Sequence, residues 1–174
     1  MIEPGDCIIS HPRWNASETV SIITEVNSQS TVALMLNAPA RVTLSELVMH
    51  KGYEITFDCE VYTGGTINSS AMILLHDSNW YSSNTMPVNS QWSISSDYFM
   101  IDKLAYDNTP THFRPILGVS AWEAGELEQQ CGGERPRWLI LKQPGSDLVI
   151  ADHKIQYQKA LEHVSAQTVN QWFT

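Results

Sequence analysis

The sequence predicts an α+β domain in which a mostly antiparallel sheet is flanked by short helices. Strand-like apolar runs outnumber helical patterns by about two to one, and the two do not alternate with helices long enough for regular crossovers. A third observation bounds the organisation. Across 174 residues with 43% hydrophobic content there is no internal repeat, charge block or linker composition, so residues 1–174 are read as one domain around one core.

Cys7 to Ser10 ("CIIS") and Thr19 to Val26 ("TVSIITEV") read as strands, separated by "HPRWNAS", where Pro12 and the polar cluster after Trp14 mark a loop. Thr31 to Asn37 is a third strand. These runs are almost continuously apolar, which predicts a sheet covered on both faces. After "APAR", Thr43 and Glu46 form a T-x-x-E capping box that opens a short helix with Leu44, Leu47 and Val48 inward.

Cys59 to Thr63 ends at Gly64-Gly65, and Ala71 to Asp77 follows, a spacing that reads as two strands joined by a tight connection. Ser78 to Gln91 is the long loop, and Trp80, Tyr81 and Trp92 in or beside it are candidate exposed anchors for a partner. "SSDYFMIDKLA" supplies a serine cap and then Tyr98, Ile101, Leu104 and Ala105 at helical spacing. Phe113 to Trp122 is a strand. It runs into "EAGELEQQC", a helix with Ala124, Leu127 and Cys131 on one face, stopped by Gly132-Gly133. Arg137 to Lys142 and Asp147 to Ile150 read as strands around the Pro144-Gly145 turn. A last helix from Asp152 turns Tyr157, Ala160, Leu161 and Val164 inward.

The formal net charge is −9, from 19 acids against 10 Lys and Arg, which opposes binding to a phosphate backbone. Direct nucleic-acid binding is therefore not expected. The most basic stretch is "ERPRWLILK", with Arg135, Arg137 and Lys142, and its plainer reading is a solvated strand. Cys7, Cys59 and Cys131 are odd in number and widely spaced, so no disulfide framework is expected. No signal-peptide pattern follows Met1, and no apolar run approaches the roughly 18–20 residues of a membrane span, so a cytoplasmic, non-membrane protein is expected.

The chemistry-bearing motifs all have a structural reading that outweighs the functional one. Gly64-Gly65 could cradle an anion on its amides, yet it lacks the Lys and Ser/Thr of a phosphate loop and reads first as a turn or bulge. Glu123, Glu126 and Glu128 complement a helix N-terminus, and Trp122 beside them reads as a core residue. Cys7 with His11 or His76 would make a thiol–imidazole pair, but a Cys in an apolar run is ordinarily a small buried hydrophobe. The remaining histidines, His50, His112, His153 and His163, have no ligand spacing. Neither metal nor cofactor is expected, and no catalytic residue is assigned.

Three segments in register resemble the AlgH/YqgE-like family of small bacterial proteins: "GDCIISHPRWNASETVSIITEV…LMLNAP", "VYTGGTINSSAMILLH" and "LGVSAWEAGELEQQC". The chain departs from the family where Glu25-Val26 replaces a Glu-His pair, where "NSQSTVAL" replaces a Gly-rich turn, and at Val119, Ala121 and Glu126. Such divergence fits a paralogue or a phage-borne copy. The resemblance implies a compact α+β domain with strongly coiled, bifurcated sheets, and a protein described as a transcriptional regulator. It points to a non-enzymatic protein that acts through contacts with a protein partner. Its alternative is a small-molecule site or weak enzyme in a cleft shared by the loop after the first strand, the Gly64-Gly65 turn and the Trp122 segment. The residues it marks for binding are His11, Pro12, Asn37, Gly64, Gly65, His76, Trp122, Gly125 and Glu128.

Overall fold

The computed structural model describes residues 1–172. In chain order the strands are β1 Cys7–Ser10, β2 Val20–Val26, β3 Ser30–Met35, β4 Pro39–Thr43, β5 Glu60–Thr63, β6 Ile67–Asp77, β7 Met86–Pro87, β8 Trp92–Ser95, β9 Phe113–Glu123 and β10 Trp138–Leu141. The helices are α1 Leu44–Met49, α2 Tyr98–Ala105, α3 Glu126–Cys131, α4 Ser146–Val149 and α5 His153–Trp172. The expected ratio of strands to helices holds, and the class is α+β.

The sheet runs β10-β1-β2-β3-β9-β6-β8-β7, with β5 joining β9 and β4 joining β5. It branches at β9. One edge of β9 takes β6 from Phe113 to Val119. The other edge is divided, with β5 parallel at Ile116 and Leu117 and β3 antiparallel from Ser120 to Glu123. That division is the bifurcation and leaves the sheet curled.

Both faces are covered, as the apolar runs predicted. On β1, Cys7 and Ile9 face one core with Ile22, Leu34, Leu148, Val149 and Ala160. Ile8 faces the other with Ile23, Ala33 and Leu127 of α3. A third cluster packs Leu44, Val48, Val61, Leu74, Trp80, Met100, Ile101 and Leu104 under α1 and α2. Fully burying a side chain of this size contributes about 1.5–3 kcal/mol, so these clusters fix which face each strand presents.

β5 and β6 are not the paired strands that their spacing predicted, because β9 lies between them. The connection after Thr63 must cross over β9, and the glycines are explained there. A Cβ on Gly64 would collide with the carbonyl of Gly118, and one on Gly65 with the carbonyl of Val119. Gly118 itself holds φ +78, a left-handed value that a side chain resists. The crossing is tied by Gly64 N donating to Leu117 O at 2.7 Å and by the Ser120 hydroxyl donating to Gly64 O at 3.0 Å.

Other boundaries differ for local reasons. "APAR" is strand β4 rather than a connection, Asp147 to Ile150 lies largely within the short helix α4 rather than a strand, and Trp92–Ser95 is strand β8. Thr43 caps α1 as predicted, accepting from Glu46 N at 3.3 Å, while Asp58 takes the Ser45 amide and hydroxyl. The cap of α2 is Asp97, not a serine: its carboxylate accepts from Met100 N at 2.7 Å. α5 starts where Asp152 accepts from Lys154 N, and it buries the predicted face. Among the described residues no helix is long and apolar enough to cross a membrane.

Candidate functional site

α2 carries apolar residues on its inward face and large aromatics on its outward one. Met100, Ile101 and Leu104 are buried against the third core cluster. At 3.6 residues per turn, positions 98, 99, 102, 103 and 106 fall on the opposite face. There Tyr98 is 66% exposed, Phe99 47% and the C-cap Tyr106 84%, and Tyr81 from the preceding loop is 68% exposed. Tyr98 therefore faces solvent, not the core as its spacing predicted.

Lys103 holds this surface together. Its ammonium lies 4.2 Å from the ring centroid of Tyr81, 5.1 Å from Trp80 and 5.4 Å from Phe99, and donates to Tyr81 O at 2.6 Å. Phe99, Asp102, Lys103, Tyr106 and Asn108 line a shallow hollow of about 470 Å³. Lys51 stands over the Tyr98 ring at 5.7 Å and extends the patch toward α1. Of the three loop aromatics, only Tyr81 is exposed. Trp80 and Trp92 are buried and cover the core, Trp80 with its indole N–H on Asn108.

A polar network beneath the patch fixes the loop that carries Tyr81. The His76 ring is buried, with Nδ1 donating to Asp77 O and Nε2 accepting from the Ser95 hydroxyl, both at 2.7 Å. A carbonyl only accepts, which sets this tautomer. Ser95 also meets Thr85, whose Oγ1 accepts from Ser82 N, and the Ser82 hydroxyl reaches Asp97. Burial pushes the imidazole below the ordinary histidine value, opposed by the Asp77 carbonyl and charge and reinforced by Lys103.

The other residues marked by the sequence lie elsewhere. Asn37 accepts from Val20 N and donates to Glu18 O, and Gly64 is nearby because its carbonyl accepts from Met35 N. His11 and Pro12 lie in the loop after β1, where His11 N donates to Arg137 O. Trp122 pairs in register with Thr31 at the far end of β3, and its ring meets Trp138 edge-on at 6.1 Å. Gly125 and Glu128 are exposed at the start of α3. A groove of about 400 Å³ runs between β6, the end of β8 and α2, lined by Asn68, Ser96, Tyr98 and Gly118 among others, and none of the nine marked residues lines it.

Cys7 and His76 cannot pair: Leu75 faces the core cluster that holds Cys7, and the alternation of β6 turns His76 to the other side, against Trp80. Burial pushes the Cys7 thiol far up, and it pushes Cys59 and Cys131 up to about 11, so none is a thiolate at neutral pH.

A sheet branched at one central strand and covered by helices on both faces defines the structural class. The AlgH-like family pattern matches residues 8–169, and the chain belongs to that family. It is 30% identical over 139 residues to a UPF0301 protein of Marinomonas sp. (strain MWYL1), covering 78% of this chain and 71% of that one. A UPF0301 protein of Vibrio parahaemolyticus is 24% identical over 154 residues, covering 83% and 80%. The solution structure of the AlgH protein from Pseudomonas aeruginosa superposes with a TM-score of 0.74 at 21% identity, over 90% of this chain and 85% of that one. Protein DIP2367 from Corynebacterium diphtheriae gives 0.71 at 15% identity, over 92% and 86%. Both likenesses support the fold.

Proposed function

We propose that this chain is a non-enzymatic binding protein that docks a protein partner on the outward face of α2, and that any regulatory role follows from that contact. The observation that carries this reading is the exposed set Tyr81, Tyr98, Phe99 and Tyr106 gathered around Lys103. Large aromatics are the side chains most enriched at interface hot spots, since each supplies a rigid apolar area at small entropic cost. They are not the helix's contribution to the core, which is made by Met100, Ile101 and Leu104 on the opposite face. Lys51 and Lys103 at the patch favour a partner whose apolar residues are rimmed by carboxylates. All three cysteines are free, which fits action in a reducing compartment such as the cytoplasm.

The test is capture with crosslinking from cells that express the protein, comparing the wild type with a Tyr98→Ser, Phe99→Ser, Tyr106→Ser variant. The reading expects a partner whose recovery falls at least about tenfold in the variant, the size of effect that losing two or three anchors produces. Equal recovery by both proteins, or no partner above background, contradicts it.

A further inference from the structure

The loop after β1 and the segment before β10 meet to form a basic site that neither stretch contains alone. Arg13 stands 4.6 Å from the ring centroid of Trp14, and Arg135 stands 5.2 Å from the same ring. Arg13, Arg135 and Arg137 are all exposed, and Trp14 is half-buried. The two segments are tied together. His11 N and Asn15 Nδ2 both donate to Arg137 O, at 2.9 and 3.2 Å, and Arg13 N donates to His11 Nδ1 at 3.1 Å. Arg137 N in turn donates to Gln130 O at 2.7 Å, which fixes the segment to α3.

Lys142, the third cation of the basic stretch in the sequence, is not part of this site. It is spent on Asp6, Glu3 and the carbonyl of Met1. Arg13 takes its place, and among the described residues no ion pair engages Arg13, Arg135 or Arg137. In a chain of net charge −9, two exposed guanidiniums on one aromatic ring, with Arg137 exposed two residues on and none of the three in an ion pair, concentrate positive charge locally.

We propose that Arg13 and Arg135 on the ring of Trp14, with the exposed Arg137 on the same tied segment, form a docking site for a short acidic segment of a protein partner. Guanidinium groups hold carboxylates by paired N–H···O contacts, and the half-exposed indole offers an apolar surface to a residue between the acids. The occupant is a short peptide and not a nucleic acid because of the surrounding charge. Glu134 precedes Arg135, and α3, to which the segment is tied through Gln130, carries exposed Glu126 and Glu128, so a long polyanion meets repelling charge there that a few carboxylates held by the arginines avoid. The site shares no residue with the α2 face and stands or falls independently of it.

The experiment is fluorescence anisotropy of a fluorescein-labelled deca-glutamate peptide titrated with the full chain at low and at moderate salt. The expected result is saturable binding that weakens with salt and falls at least about tenfold in the Arg13→Gln, Arg135→Gln double variant, the loss expected when two charge-assisted contacts go. Both side chains are exposed, so the variant is expected to melt as the wild type does. Absence of saturable binding, or a folded double variant that binds equally well, overturns the proposal. So does tighter binding of a thymidine oligonucleotide of the same length, which would make this a nucleic-acid site. Competition by free glutamate at equal carboxylate concentration also overturns it, by reducing the site to one for small anions.

Discussion

The guanidinium of Arg114 lies 4.3 Å over the ring of Tyr62, joining the adjacent strands β9 and β5 where α5 begins. Its donors end on Leu36 O, Ala151 O and Gln156 Oε1 at 2.7, 2.7 and 3.0 Å, and Gln156 passes the link on to the carbonyls of Leu148 and Val149. One buried cation thus pins α4 and the start of α5 to the sheet. Replacing Arg114 with Ala leaves three acceptors facing a void and is expected to cost about 3 kcal/mol, measured by urea unfolding. A loss below about 1 kcal/mol would show that the helices are held by their apolar face alone.

The crossing over β9 has no room for side chains. Gly65→Ala places a methyl against the Val119 carbonyl, which is backbone and cannot step aside. It is expected to destabilise the protein by about 3 kcal/mol or to prevent folding, at the upper end of overpacking effects. Gly52→Ala is the control, because open space surrounds that position, although its φ of +85 carries a smaller strain cost. Equal melting temperatures for Gly65→Ala and the wild type would contradict the branched topology.

His76 makes stability depend on pH with a defined sign. Its folded value is depressed by burial, so its contribution is complete above the ordinary histidine value of about 6.5. As the pH falls below that, the unfolded chain takes up a proton that the folded chain refuses, and stability drops until the depressed folded value is reached. Urea midpoints measured from neutral to mildly acidic pH are expected to fall more steeply in the wild type than in His76→Gln. Parallel slopes would remove His76 as the cause.

Duplex DNA is expected to give no mobility shift with micromolar protein at moderate salt. The net charge of −9 opposes it, and the Arg13–Trp14–Arg135 patch is small. A reproducible, salt-sensitive shift that disappears in an Arg135→Ala, Arg137→Ala variant would contradict this.

Much of the fold was legible in the sequence because apolar runs report burial directly. β1, β2, β3 and β9 lie within a few residues of their expected places, and the buried face of α5 is the predicted one. What failed is what a local pattern cannot encode. Asp147 to Ile150 is short enough for its apolar residues to fit strand or helix equally, and Tyr98 fits either face of a helix with apolar residues on both. The pairing of β5 and β6 with β9 is a long-range fact; only the glycine pair hinted at a close approach. Which cations lie together is equally long-range, since Arg13 and Arg135 are brought together by the fold while Lys142 is drawn away to Asp6. The α2 face had a signal that could have found it: Phe99 and Tyr106 lie outside the inward spacing of Ile101 and Leu104.

The central claim, that α2 is where a protein partner sits, is tested most directly by a photoreactive residue placed at Tyr106 in living cells, with the same residue at Ile155 on α5 as the control. Both positions are exposed, so both probes meet the same crowd of proteins, and only a specific contact distinguishes them. The predicted result is a discrete crosslinked species from position 106, absent from 155 and abolished by Phe99→Ser with Tyr98→Ser in the same chain. Crosslinks of equal yield and pattern from both positions, or a discrete species from 155 alone, would contradict it.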